Sequence, residues 1–153
     1  MKRFFLVLIL TIVVAGVLIY AMPKNFDSYI SDVTSCGSVS IYCMQSDIDG
    51  IDMGNGKIVT CAAGELRTTL KQCSGVQGVS VSFDGNEQDV ERIADLLHLD
   101  IVSNYELCGL VVTCGVSSRI RGGVTVDGNR VNVQIAYKDG VVTVGSPLIL
   151  GSY

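Results

Sequence analysis

Residues Phe4 to Met22 form a run of 19, FFLVLILTIVVAGVLIYAM, relieved only by Thr11, Gly16 and Tyr20. As an α-helix this run would be about 28 Å long, close to the hydrocarbon thickness of a bilayer. A helix on a soluble core needs a polar stripe at 3.6-residue spacing, and one Thr, one Gly and one Tyr cannot make one. The run is therefore expected in lipid rather than as the first core helix.

Lys2 and Arg3 precede the run, and only Lys24 follows it before Asp27 and Asp32. The positive-inside bias then leaves the N-terminus in the cytoplasm and carries the rest outside. Ile19-Tyr20-Ala21 fits poorly the small residues that signal peptidase prefers, and the run exceeds the 7–15 apolar residues usual in a signal peptide. An uncleaved anchor is favoured over a removable signal, and both export the remainder of the chain. A lipoprotein would need a Cys at the end of the run, but the first is Cys36; a pilin-like helix would carry an early acidic residue, but none precedes Asp27.

The expected organisation is an anchor or signal over 1–22, a polar stalk over 23–36 and one extracytoplasmic domain over 37–153. Past residue 22 there are nine basic and fifteen acidic residues, a net charge of −6. That excludes a nucleic-acid partner, because affinity for phosphate backbones comes mainly from clustered Lys and Arg. Arg119, Arg121 and Arg130 are the one local basic group, and they read as a solvated loop.

The six cysteines, Cys36, Cys43, Cys61, Cys73, Cys108 and Cys114, all follow the run. An even number outside the cytoplasm points to disulfides, so all six are candidate partners; the alternative is small buried apolar side chains. No C-x-x-C occurs and His98 is the one histidine, so no metal site is expected. If Cys61 and Cys73 bound one helix they stand about 18 Å apart, and Cys108 and Cys114 in one strand about 20 Å apart. Bridges are then expected between elements rather than between neighbours in sequence.

Along the chain, Val39, Ile41 and Cys43 alternate as in a half-buried strand, and KIVTC reads as a second. Between them Asp47, Asp49 and Asp52 fail the EF-hand spacing, since the fifth position is Ile51 and the sixth Asp52, so the loop reads as solvated. AAGELRTTLKQC places Ala62, Leu66, Leu70 and Cys73 at helical spacing, and Val79, Val81 and Phe83 alternate as a strand. Asn86 is placed to cap a helix whose stripe is Val90, Ile93, Ala94 and Leu97, with His98 at its C-terminal end. DIVSNYEL and GLVVTCGVS read as strands. A meander follows in which Asp127-Gly128 and Asp139-Gly140 mark tight turns, with Val131, Val133, Ile135 and Tyr137 on one side and Asn132, Gln134 and Ala136 on the other. The polar side is expected to be wetted, and Pro147 to favour a sheet edge. Helices among mostly antiparallel strands define an α+β domain.

The terminal segment RVNVQIAYKDGVVTVGSPLILGSY, with Asn132-x-Gln134-x-Ala136, Thr143-x-Gly145-x-Pro147-x-Ile149 and Tyr153, resembles the tail of YwmB-like proteins of endospore-forming Firmicutes. That resemblance implies a TATA-box-binding-protein-like fold, a curved antiparallel sheet backed by two helices, and a setting near cell-wall and sporulation processes. It does not imply DNA binding, because function belongs to a site and the charge here has the wrong sign.

For chemistry the sequence offers no G-x-S-x-G elbow, phosphate loop or metal-ligand cluster, so no catalytic residue and no cofactor are expected. The leading expectation is a non-catalytic cell-envelope protein, held to the membrane by residues 4–22, whose domain contacts an envelope protein or cell-wall component. The rival is an extracytoplasmic thiol-redox or small-ligand module using Cys36 to Cys114.

Overall fold

A computed structural model describes residues 9, 11–14 and 22–151. Ile9 and Thr11–Val14 are helical and exposed; the remainder of the expected anchor, residues 4–8, 10 and 15–21, lies outside the described residues. Among the described residues no helix is long and apolar enough to cross a membrane.

The domain is α+β with a mostly antiparallel sheet. In chain order its strands are β1 (Ser38–Ser46), β2 (Ile51–Asp52), β3 (Lys57–Ala62), β4 (Cys73–Asp84), β5 (Leu99–Leu107), β6 (Leu110–Ser117), β7 (Val124–Val126), β8 (Asn129–Val131), β9 (Val133–Lys138) and β10 (Val141–Ser146). Three short helices accompany them past residue 22: α1 (Ile30–Val33), α2 (Leu66–Leu70) and α3 (Glu87–Leu97). Eight strands pair in the order β2-β3-β1-β4-β10-β9-β6-β5, and β7-β8 forms a separate ribbon.

The alternation in the sequence becomes the buried face of this sheet. Val39, Ile41 and Cys43 of β1, Val81 of β4, Ile135 of β9 and Val142 and Val144 of β10 join Ile93 and Leu97 of α3 in one core. Each such side chain contributes about 1.5–3 kcal/mol when fully buried. Asn86 caps α3 as its position predicts: its Oδ1 accepts from the Gln88 amide at 2.9 Å, while Asp89 Oδ2 accepts from the Asn86 amide at 3.0 Å. Helix α3 ends at His98, which is exposed and takes the left-handed conformation (φ 48°).

Segment 23–36 is not a stalk. A 3-10 turn over Phe26–Tyr29 and helix α1 bury Phe26, Ile30 and Val33 in the same core. Apolar residues spaced at four and three positions are disguised there by Asp, Ser and Thr on the wet side. The chain joins the fold two residues after Met22, where the Lys24 amide donates to Arg119 O at 2.8 Å and Lys24 O accepts from the Arg121 amide at 2.9 Å.

Two cysteine placements also change. The helix expected to end at Cys73 stops at Leu70, and the Cys73 segment pairs with β1 instead, leaving Cys61 in β3. Cys108 lies in no strand: Cys108 (φ 51°) and Gly109 (φ 76°) make the two-residue turn of the β5-β6 hairpin. The Asp127-Gly128 and Asp139-Gly140 turns have positive φ at both residues, the conformation that matches strand twist.

The strand expected to carry Val131, Val133, Ile135 and Tyr137 on one side breaks at Asn132, between β8 and β9. Val131 falls on the far face of the sheet, with Val112, Cys114 and Ala136, rather than with Val133 and Ile135. Pro147 is not at an edge, since β10 lies inside the sheet, but it follows the last paired residue, Ser146.

Candidate functional site

Part of the far face of the sheet, over β10 and its neighbours, is covered by the chain itself. After Pro147, residues 148–150 form a strap across β10: the Ile149 amide donates to Gln134 Oε1 on β9 at 3.1 Å, and the Leu150 amide donates to Ser80 Oγ on β4 at 3.3 Å. Leu148 and Ile149 pack on the cluster of Val112, Cys114, Val131 and Ala136. Gly145 lies directly beneath, where a Cβ would meet Leu148 O at 2.5 Å.

The polar residues of this face are therefore not wetted, as the alternation suggested. Asn132 is 1% exposed and Gln134 8%. Asn132 Oδ1 accepts from the Ser117 amide at 2.7 Å, and its Nδ2 donates to Ser117 O at 2.8 Å and Ile120 O at 2.9 Å, which ties the 117–120 turn to the sheet. Gln134 Nε2 donates to Tyr105 Oη at 3.4 Å and to Cys114 Sγ at 3.5 Å, so the strap, the sheet and the outermost strand meet at one amide. Desolvation raises the Tyr105 hydroxyl above its ordinary range; the adjacent Cys114 adds to this and the Gln134 hydrogen bond opposes it. Asn132, Gln134, Ala136, Gly145 and Ile149 all serve this clamp and strap. Tyr153 lies outside the described residues.

Beside this covered region, strand β5 ends the sheet; among the described residues it pairs only with β6, and Asp100–Leu107 are exposed throughout. Ile101 is 55% exposed and Leu107 66%, with Val102 and Tyr105 also exposed. An edge strand presents unpaired backbone donors and acceptors, and proteins ordinarily blunt it with Lys, Pro or brevity. Here there is neither Lys nor Pro over nine residues, although the register shifts between Ile101 and Ser103. The opposite edge is the two-residue β2.

No disulfide joins any of the six cysteines in the structure. Cys36 and Cys108 are exposed, Cys61 and Cys73 half-buried, and Cys43 and Cys114 buried. Cys43 and Cys73 come from different elements and lie within hydrogen-bond reach of each other, Cys73 Sγ also reaching Ser46 Oγ at 3.7 Å. Burial, then the hydrogen bond and charge of Cys73, push the Cys43 thiol up to about 11 against the opposing influence of Lys57. A thiol reagent near pH 8 is expected to modify Cys36 and Cys108 first and Cys43 and Cys114 last, read by time-resolved mass spectrometry, because attack needs an accessible thiolate. Early alkylation of Cys43 would contradict its placement. A raised thiol pKa also sets a sign for stability: the contribution is whole below about pH 9 and is lost as pH rises toward 11, because the unfolded chain ionises first.

A cleft of about 800 Å³ opens between the end of β1 and the turn before β3, lined by Tyr42, Met44, Asp52, Lys57 and Gln77 among others. Asp52 Oδ1 accepts from the Gly54 amide at 2.7 Å, so this carboxylate shapes the turn. Among the described residues no three His, Cys, Asp or Glu side chains are placed to share a metal ion. Of the arginines read as a solvated loop, Arg121 and Arg130 are exposed and Arg119 half-buried, and each also holds a carbonyl: Arg119 Nη1 donates to Leu96 O at 2.7 Å, Arg130 Nη2 to Gly122 O at 2.7 Å, and Arg121 Nε to Pro23 O.

Comparison with known proteins found no matching family model, no similar curated protein and no similar solved structure.

Proposed function

We propose that the chain is a non-catalytic cell-envelope protein, held at the outer face of the cytoplasmic membrane by residues 4–22, whose domain docks an extended segment of another envelope protein on β5. The observation that carries this reading is the long open edge of β5, with apolar side chains exposed along it. Strand addition supplies affinity through main-chain hydrogen bonds and specificity through alternate side chains. Asp100 and Glu106, exposed on that strand, favour a segment bearing Lys or Arg. They also disfavour a second copy of the chain: antiparallel pairing centred on Ser103 would set Asp100 against Glu106. The resemblance of the C-terminal segment to YwmB-like proteins supports a cell-wall or sporulation setting.

The test is isolation of the partner from solubilised membranes, followed by the double substitution Asp100→Lys and Glu106→Lys. Both side chains are exposed, so the melting temperature should hold while the association weakens at least tenfold, about 1.4 kcal/mol. Unchanged association would reject β5 as the docking edge, and robust hydrolase or transferase turnover would reject the non-catalytic reading.

A further inference from the structure

The chain enters the fold through a basic patch. Residues 22–27 and 119–131 hold Lys24, Arg119, Arg121 and Arg130 against two acidic residues, Asp127 and Asp27, the latter lining one cleft with Arg121. These are four of the nine basic residues past position 22, in a portion carrying a net charge of −6. Backbone hydrogen bonds join Lys24 to Arg119 and Arg121, and Arg121 Nε and Arg130 Nη2 hold Pro23 O and Gly122 O, so the four are gathered by structure rather than by chance proximity. Lys24, Arg121 and Arg130 are exposed, and exposed Met22 and Val124 flank them.

Distance decides what this patch meets. From Met22 to the Lys24 bridge is two residues, which span at most about 7 Å. That is within the Debye length of about 8 Å at physiological ionic strength, so charges there are not screened from a surface at Met22. We propose that Lys24, Arg119, Arg121 and Arg130, with Met22 and Val124 beside them, seat the domain directly on an anionic lipid surface. The proposal rests on residues 4–22 being a membrane anchor. It also orients the docking edge. Leu99 of β5 pairs with Ser117, two residues before Arg119, so β5 starts at the seated end and reaches about 26 Å along the sheet to Leu107.

The experiment reconstitutes the full chain into nanodiscs of phosphatidylcholine alone, or of phosphatidylcholine mixed with phosphatidylglycerol, and follows amide exchange. Retention in neutral discs at about 1 M salt, where the Debye length is about 3 Å, reports the anchor independently of charge. Exchange over residues 119–131 reports the seat. It is expected to slow severalfold in anionic discs at low salt only, and each of Lys24→Gln and Arg130→Gln should weaken the protection about fivefold. Retention with equal exchange in both lipids would overturn the seat and keep the anchor. Loss of the chain from neutral discs would overturn both. Salt and lipid act on the unaltered protein, so a variant that folds poorly does not decide the outcome.

Discussion

Asn132→Leu is expected to cost about 2–6 kcal/mol of folding stability. The side chain closes three hydrogen bonds in a site 1% exposed, and its loss leaves the Ser117 amide and Ile120 O without that partner, while Ser117 O keeps the Ile120 amide at 3.4 Å. Each such orphan costs about 1–3 kcal/mol. Against a total stability of about 5–15 kcal/mol this is a large share, so the melting temperature should fall by about 10–20 °C. Asn132→Asp is no rescue: it keeps an acceptor for the Ser117 amide but turns a carboxylate oxygen toward two carbonyls. Urea titration of both variants beside the unaltered chain is the measurement. A shift under about 1 kcal/mol, the cost of a single orphan, would mean that the 117–120 turn is held by something else.

Gly145→Ala is the second large effect, and it should be local. The added methyl would stand 2.5 Å from Leu148 O and 2.6 Å from Ile149 Cα, closer than real Cβ contacts allow, and backbone has no rotamer by which to yield. Overpacking of this kind costs about 1–3 kcal/mol. The strap is the part free to move, so the expected result is fast exchange at the Ile149 and Leu150 amides, with the protection of β4 and β9 retained. Global unfolding instead would show that the strap is part of one cooperative unit with the sheet. Detachment should also reach β5, because Gln134 joins Ile149 to Tyr105.

Much of the architecture is legible in the residues because local chemistry and tertiary demand agree. The Asp-Gly turns, the Asn86 cap and the alternation of Val39, Ile41 and Cys43 each carry one physical meaning, and each stands in the fold with that meaning. The departures have a common cause, a side chain whose partner is distant in sequence. Asn132 and Gln134 alternate like residues on a wet sheet face, and nothing nearby announces that Ile149 will return over them. Arg119 reads as part of a solvated loop until the carbonyl of Leu96 is known, whereas Arg121 and Arg130 are exposed as that reading expects. Polar residues between Phe26, Ile30 and Val33 disguise a buried stripe. The edge is not announced in the sequence: LDIVSNYEL lacks the Lys or Pro that ordinarily guards a border and so reads as an inner strand, and order in the sheet is a tertiary fact.

For the candidate site the sequence offers less, because a docking edge is a backbone property and leaves no motif. The proposed placement outside the cytoplasm is directly testable through Cys108, exposed at the tip of the β5-β6 hairpin, and through exposed Cys36. Intact cells that produce the protein natively are treated with a membrane-impermeant maleimide, and the labelled peptides are mapped by mass spectrometry. The account predicts that Cys36 and Cys108 are labelled as fully in intact cells as after lysis. Labelling of either only once the cells are broken open would contradict it.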